Sequence, residues 1–143
     1  MRFYTVGHSN RTLEEFIAIL ERFGIQLVVD VRRFPTSRKY PHFNLESLKG
    51  ALESRGIGYL WMGDRLGGYR KGGYRAFAAT EEFRRAVEDL VRLSEGRVVA
   101  IMCAERLWFR CHRRFIADAL VSMGHEVVHI VEPDRVYVHR SKA

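Results

Sequence analysis

Apolar and polar positions change period repeatedly along this chain. Five short apolar runs have strand length: Phe3 to Val6, Ile25 to Val31, Ile57 to Met62, Val98 to Met102 and Glu126 to Val131. In the second, Leu27, Val28 and Val29 follow one another without polar alternation, the pattern of a strand buried on both faces. Between the runs, apolar residues recur at helical spacing. The stripes are Leu13, Phe16, Ile17, Leu20 and Phe23; then Leu45, Leu48, Ala51 and Leu52; then Phe83, Ala86, Val87, Leu90 and Val91; and last Phe115, Ile116, Ala119, Leu120 and Met123.

End signals agree with these stripes. Thr12 and Glu15 have capping-box spacing, Asn44 and Thr80 stand at N-cap positions, and Gly24, Gly56 and Gly124 follow the last helical residues. The tail from Glu132 is polar, with Val136 to Val138 as a short edge strand at most. Alternating strands and helices predict a single α/β domain over residues 1–143: a three-layer α/β/α, Rossmann-like arrangement on a mostly parallel five-stranded sheet with right-handed crossovers. In such sheets ligands bind beyond the carboxyl ends of the strands. Four segments then meet at one rim: Gly7 to Arg11, Asp30 to Arg33, Gly63 to Arg75, and Cys103 to Arg114.

At 143 residues the chain can bury a core without staples. It has no apolar run of membrane-spanning length and no leader-like start, and two cysteines make no disulfide framework. A cytoplasmic protein without a membrane partner is expected. The net charge of +7 favours a phosphate-bearing small molecule or nucleic acid as partner, although the basic residues, mostly Arg, are spread along the chain and also read as composition bias.

Chemistry concentrates between Cys103 and Arg114. Cys111 lies at or just before a helix N-terminus, where free N–H groups and the helix dipole favour a thiolate or a bound anion; a small buried hydrophobe is the plainer reading. His112 can carry a proton, and Arg113 adds positive charge. Cys103 ends the fourth strand, as a nucleophile or as packing. A Cys-x5-Arg phosphate loop is ruled out because Phe109 stands where the arginine belongs, with Arg110 one residue late. The two thiols form a redox pair if the loop folds back.

Glu105 reads as an acid/base group or as a partner of Arg32 or Arg113. His8 reads as a general base or as an imidazole bonded to a nearby carbonyl. Asp30, closing a buried strand, reads as an ion-pair partner or a catalytic carboxylate. His8, Cys103, Cys111 and His112 are also adequate zinc or iron ligands, in no familiar spacing. Tyr69 and Arg70 belong to a glycine-rich run, Gly63 to Arg75, whose aromatic and basic residues suit ligand contact or a lid over the rim. Phe34 to Phe43 has similar chemistry, and Trp61 reads as core. No cofactor is named by these residues.

Thr5-Val-Gly-His-Ser9, Val29-Asp-Val-Arg32, Met102-Cys-Ala-Glu105 and Cys111-His-Arg113, in that order, resemble domain of unknown function family 488, as does Gly124 to His129. The resemblance implies a compact Rossmann-like fold. It marks His8, Ser9, Asp30, Arg32, Cys103, Glu105, Cys111, His112 and Arg113 as signature positions and supplies no reaction. A looser, architectural likeness to rhodanese-type domains stops at the long interval before Cys111. The leading expectation is an enzyme acting on a phosphate-bearing ligand. Cys111 would be the thiolate, His112 or His8 the proton carrier, and Arg32 and Arg113 the anion holders, with Glu105 and Asp30 orienting them. The rival is a non-enzymatic nucleic-acid-binding module, and the third reading is a Cys/His metal site.

Overall fold

The structure, a computed structural model, describes residues 1–141. It is α/β with helices on both sides of one sheet. In chain order the elements are β1 (Arg2–Gly7), α1 (Leu13–Arg22), β2 (Leu27–Asp30), α2 (Leu45–Glu53), β3 (Gly58–Trp61), α3 (Gly63–Leu66), α4 (Tyr74–Ala78), α5 (Glu81–Ser94), β4 (Val99–Cys103), α6 (Arg113–Ser122), β5 (Glu126–Glu132) and β6 (Arg135–Val138). The sheet order is β3-β2-β4-β1-β5-β6, parallel except for β6, which pairs antiparallel with β5.

The sheet therefore has six strands, not five. The polar tail turns back and its Val136-Tyr137-Val138 segment pairs with Val128 to Ile130, an edge strand whose residues are all exposed. Exposure explains why it carries so little hydrophobic signal. No helix among the described residues is long and apolar enough to cross a membrane.

Side-chain alternation divides the core. Val28, Ala100 and Met102 face α1 and α2 with Phe16, Leu20, Leu48 and Leu52. Leu27, Val29, Val99, Ile101 and Cys103 face α3 to α6 with Leu66, Phe77, Phe83, Leu90 and Ile116. Thr12 closes the predicted capping box with Glu15, and Thr80 caps α5. Asn44 stands at the N-cap of α2 but does not cap it. Its Oδ1 accepts from the Ser37 N–H at 2.5 Å, ordering the preceding loop instead. The glycine-rich run Gly63 to Arg75 contains α3 and the start of α4, and Pro41–Phe43 forms a 3-10 turn.

Connections from β1 and β4, adjacent in the sheet, leave on opposite faces and in opposite directions: α1 leads toward β2, α6 toward β5. That is the switch point at which parallel sheets open a crevice at their carboxyl ends.

Candidate active site

Beyond β4 the chain runs out and folds back. His8 N–H donates to the Cys103 carbonyl at 2.9 Å and Ser9 N–H to that of Ala104 at 3.0 Å. Such closeness requires Gly7: a Cβ there would lie 1.9 Å from the Glu105 carbonyl oxygen. A 3-10 turn, Trp108–Arg110, then reverses the loop, with Trp108 stacked on His129 at 4.3 Å between ring centres. Cys111 returns beside Cys103, their sulfurs 2.8 Å apart, both thiols unbridged.

Three groups surround Cys111 Sγ. The Cys103 S–H donates to it, the Arg113 N–H in the first turn of α6 donates at 3.4 Å, and His112 Nδ1 lies at 3.5 Å. His112 Nε2 donates to the Val31 carbonyl at 2.9 Å, which turns Nδ1 toward the sulfur. The hydrogen bond from Cys103, above all, then the contact with His112 and last the positive charge of Arg113 hold the Cys111 thiol well below its ordinary value, against its burial. Burial pushes Cys103 the opposite way, and its bond to Cys111 adds to that. The contact thus favours negative charge on Cys111 and the proton on Cys103.

The sulfurs stand at the base of an open cleft of about 450 Å³. Its walls include Arg33, Phe34, Tyr69, Arg110 and His112. Phe34 and Tyr69 are both exposed and their rings meet at 5.6 Å across the mouth. Tyr69 holds φ at 60°, a left-handed conformation uncommon for a bulky residue.

Three of the four predicted rim segments line this cleft; Gly7 to Arg11 lies beside it. Ser9 and His8 border a neighbouring depression with Tyr40. The His8 ring stacks on Phe43 at 4.3 Å, donates through Nδ1 to the Ser9 carbonyl at 2.9 Å, and accepts at Nε2 from Arg32 at 3.3 Å. Burial lowers its pKa to about 4, so it is neutral at pH 7. Asp30, fully buried, accepts from Arg32 and from the Tyr59 hydroxyl. Arg32 also donates to the Phe43 carbonyl at 2.8 Å. Its guanidinium borders the cleft but is occupied by protein partners.

Arg113, 1% exposed, donates to Thr5 Oγ1 at 3.1 Å and to the Glu105 carbonyl, while its Nε has no partner. The expected ion pair of Glu105 with Arg32 or Arg113 is absent. The Glu105 carboxylate accepts from the Leu107 N–H at 3.1 Å, and only its backbone oxygen meets Arg113, because the loop reversal turns the side chain outward. Arg70 braces its own loop through the Gly67 and Asp64 carbonyls and lies over Phe77 at 3.9 Å. Trp61 is half-buried, its Nε1 donating to the Arg32 carbonyl at 2.7 Å. Among the described residues no group of three or more His, Cys, Asp or Glu is arranged to hold a metal ion, so the zinc or iron reading finds no ligand set.

Two sets of residues escape the sequence reading. Arg33 and Arg110 are the exposed cations of the cleft, marked beforehand only by their place in rim segments. Thr5, His129 and His139 form a buried row behind Arg113. Thr5 Oγ1 lies 2.6 Å from His129 Nδ1, His129 Nε2 lies 2.8 Å from His139 Nδ1, and His139 Nε2 lies 2.6 Å from Asp118 Oδ1. A histidine inside a fully buried apolar strand was the available signal, since buried polar groups need partners.

Parallel α/β topology with a thiol pair at the switch point defines a Rossmann-like domain with a cysteine-centred cleft. The chain belongs to the family described as Domain of unknown function DUF488, whose model matches residues 12–120. That range includes Asp30, Arg32, Cys103, Glu105 and Cys111 to Arg113; His8, Ser9 and the Gly124 to His129 segment fall outside it. No curated protein and no solved structure matches the chain.

Proposed function

We propose that the protein is a thiol-dependent enzyme in which Cys111 acts as a nucleophilic thiolate on an anionic, phosphate-bearing substrate. One observation carries this reading: Cys111 Sγ stands at the base of an open cleft, bonded by the Cys103 thiol and a helix-terminal N–H. Both bonds stabilise negative charge on sulfur. His112 Nδ1, 3.5 Å away, is placed to exchange a proton with the sulfur or with a leaving group. Arg33 and Arg110, rather than the internally bonded Arg32 and Arg113, are the cations that meet the substrate, and Phe34 with Tyr69 offers a stacking face to a base.

The test is the rate of iodoacetamide alkylation of each cysteine against pH, read by peptide mass spectrometry on the native protein. Cys111 should react as a thiolate far below about pH 8.5, where a free thiol titrates. Inertness of both cysteines until the protein unfolds would overturn the reading. A basic face with exposed aromatics keeps one rival in view, a nucleic-acid-binding module. It requires binding that weakens steeply with salt and is indifferent to Cys111→Ser.

A further inference from the structure

We propose that Cys103 and Cys111 form a dithiol–disulfide couple that exchanges with the disulfide of a small, carboxylate-bearing thiol, with Cys111 attacking and Cys103 resolving. This rests on the thiolate reading above, not on its phosphate; it adds a second cysteine and takes the anion met by Arg33 and Arg110 to be a carboxylate. The contact that stabilises the Cys111 thiolate also sets Cys103 Sγ 2.8 Å from it, within reach of any disulfide carried on Cys111, with no movement of the loop needed. The two sulfurs are unequal in the way such a couple requires. Cys111 is half-buried and borders the cleft; Cys103 is 3% exposed, beyond the reach of a bulky disulfide but not of its neighbour.

The cleft matches the substrate in size and charge. About 450 Å³ far exceeds the space one attacked sulfur needs and suits half of a tripeptide disulfide. Arg33 and Arg110 supply positive charge for carboxylates, and the carboxylate in the lining, Glu105, is bonded to the Leu107 N–H.

The Cys111 thiolate attacks one sulfur of the substrate disulfide, forming a Cys111–substrate bond and releasing the other half as a thiolate. Cys103 gives its proton to that leaving thiolate and attacks Cys111 Sγ. The Cys103–Cys111 bond forms, and the second substrate half departs with the pair of electrons. The protein dithiol is oxidised and one disulfide is reduced to two thiols. A reduced thiol drives the same steps backwards. Charge stabilisation at Cys111 favours the reduced form, which places the couple on the oxidising side of thiol–disulfide pairs.

The experiment mixes native protein with excess oxidised glutathione, quenches with acid and measures intact mass. The unmodified chain should lose two hydrogens and keep no adduct. Cys103→Ser and Cys103→Ala should each retain a glutathionyl group on Cys111, which the unmodified chain loses to the internal disulfide. Circular dichroism checks that each variant is folded. Cys111→Ser should show neither product. Oxidised glutathione should react faster than neutral 2-hydroxyethyl disulfide, and Arg33→Gln/Arg110→Gln should narrow that preference. A stable glutathionyl adduct on the unmodified chain with no internal disulfide overturns the couple. If iodoacetamide still alkylates Cys111 in acid, the thiolate reading survives that result. Cys111 inert to both reagents in the folded protein overturns the two together. Equal rates for the charged and neutral disulfides overturn the substrate class.

Discussion

Arg32 and Arg113 are equally hidden arginines near the same carboxyl rim, and they sit in opposite electrical surroundings. Arg32 lies against both oxygens of Asp30, a carboxylate that also accepts from Tyr59, and its remaining contacts go to the Phe43 carbonyl and His8. The set is closed and neutral. Arg113 meets a hydroxyl and a carbonyl, leaves Nε unbonded, and joins no carboxylate among the described residues. Its charge acts on both sulfurs, favouring the ionised form of each. A compensated buried cation holds loops together; an uncompensated one near a thiol adds to what favours that thiol's anion.

Removing the compensation from the first cluster should have the largest effect. Asp30→Asn leaves Arg32 buried without its anion and should lower unfolding free energy by about 3–5 kcal/mol, measured in urea. A loss below about 1 kcal/mol would mean that the hydrogen bonds, not the charge, matter there.

Acid should weaken both clusters. Burial lowers the pKa of His8 to about 4 and, aided by His139, that of His129 to about 3. The folded protein therefore binds fewer protons than the unfolded chain below the ordinary histidine value near 6.5. Stability is full above that value and falls as pH drops toward 4, by about 1.4 kcal/mol per pH unit for each histidine. Urea midpoints at successive pH values read the slope, and His129→Phe should reduce it. A flat profile between pH 6.5 and 4 would show that neither ring is held neutral by the fold.

The smallest change probes the second cluster directly. Arg113→Met keeps the volume, removes the charge and should raise the titration of Cys111 by about one pH unit, followed by thiolate absorbance. An unmoved titration would leave Cys103, His112 and the helix N-terminus as the groups that set it, and the contrast between the two arginines would fail.

Much of this was legible in the chain. Leu27-Val28-Val29 declared a strand covered on both faces, Thr12 with Glu15 declared a helix start, and rim segments followed from strand order. Such features depend on neighbours in sequence. Partner choice across the fold does not. Asn44 finds Ser37 rather than its helix, Glu105 turns outward while its carbonyl takes Arg113, and Arg70 bends into its own loop. Arg32 and Arg113 read identically as anion holders because a one-letter pattern does not show which cation already has a carboxylate. His129 stood only as one letter of a family motif, since its role comes from Thr5, more than a hundred residues away.

The row behind Arg113 runs from a guanidinium to a carboxylate. A carboxylate can only take hydrogen bonds, so with both rings neutral the Asp118 end sets one polarity for the members between, and Thr5 can accept from Arg113 while giving to His129. Arg113 gives to Thr5, Thr5 to His129, His129 to His139, and His139 to Asp118. Each ring is thereby confined to one tautomer. Conduction along such a row would need a proton released at one end, and a guanidinium releases none. The row is a strut rather than a wire: it ties the last strand's flank to the floor beneath the sulfurs and keeps that floor in register.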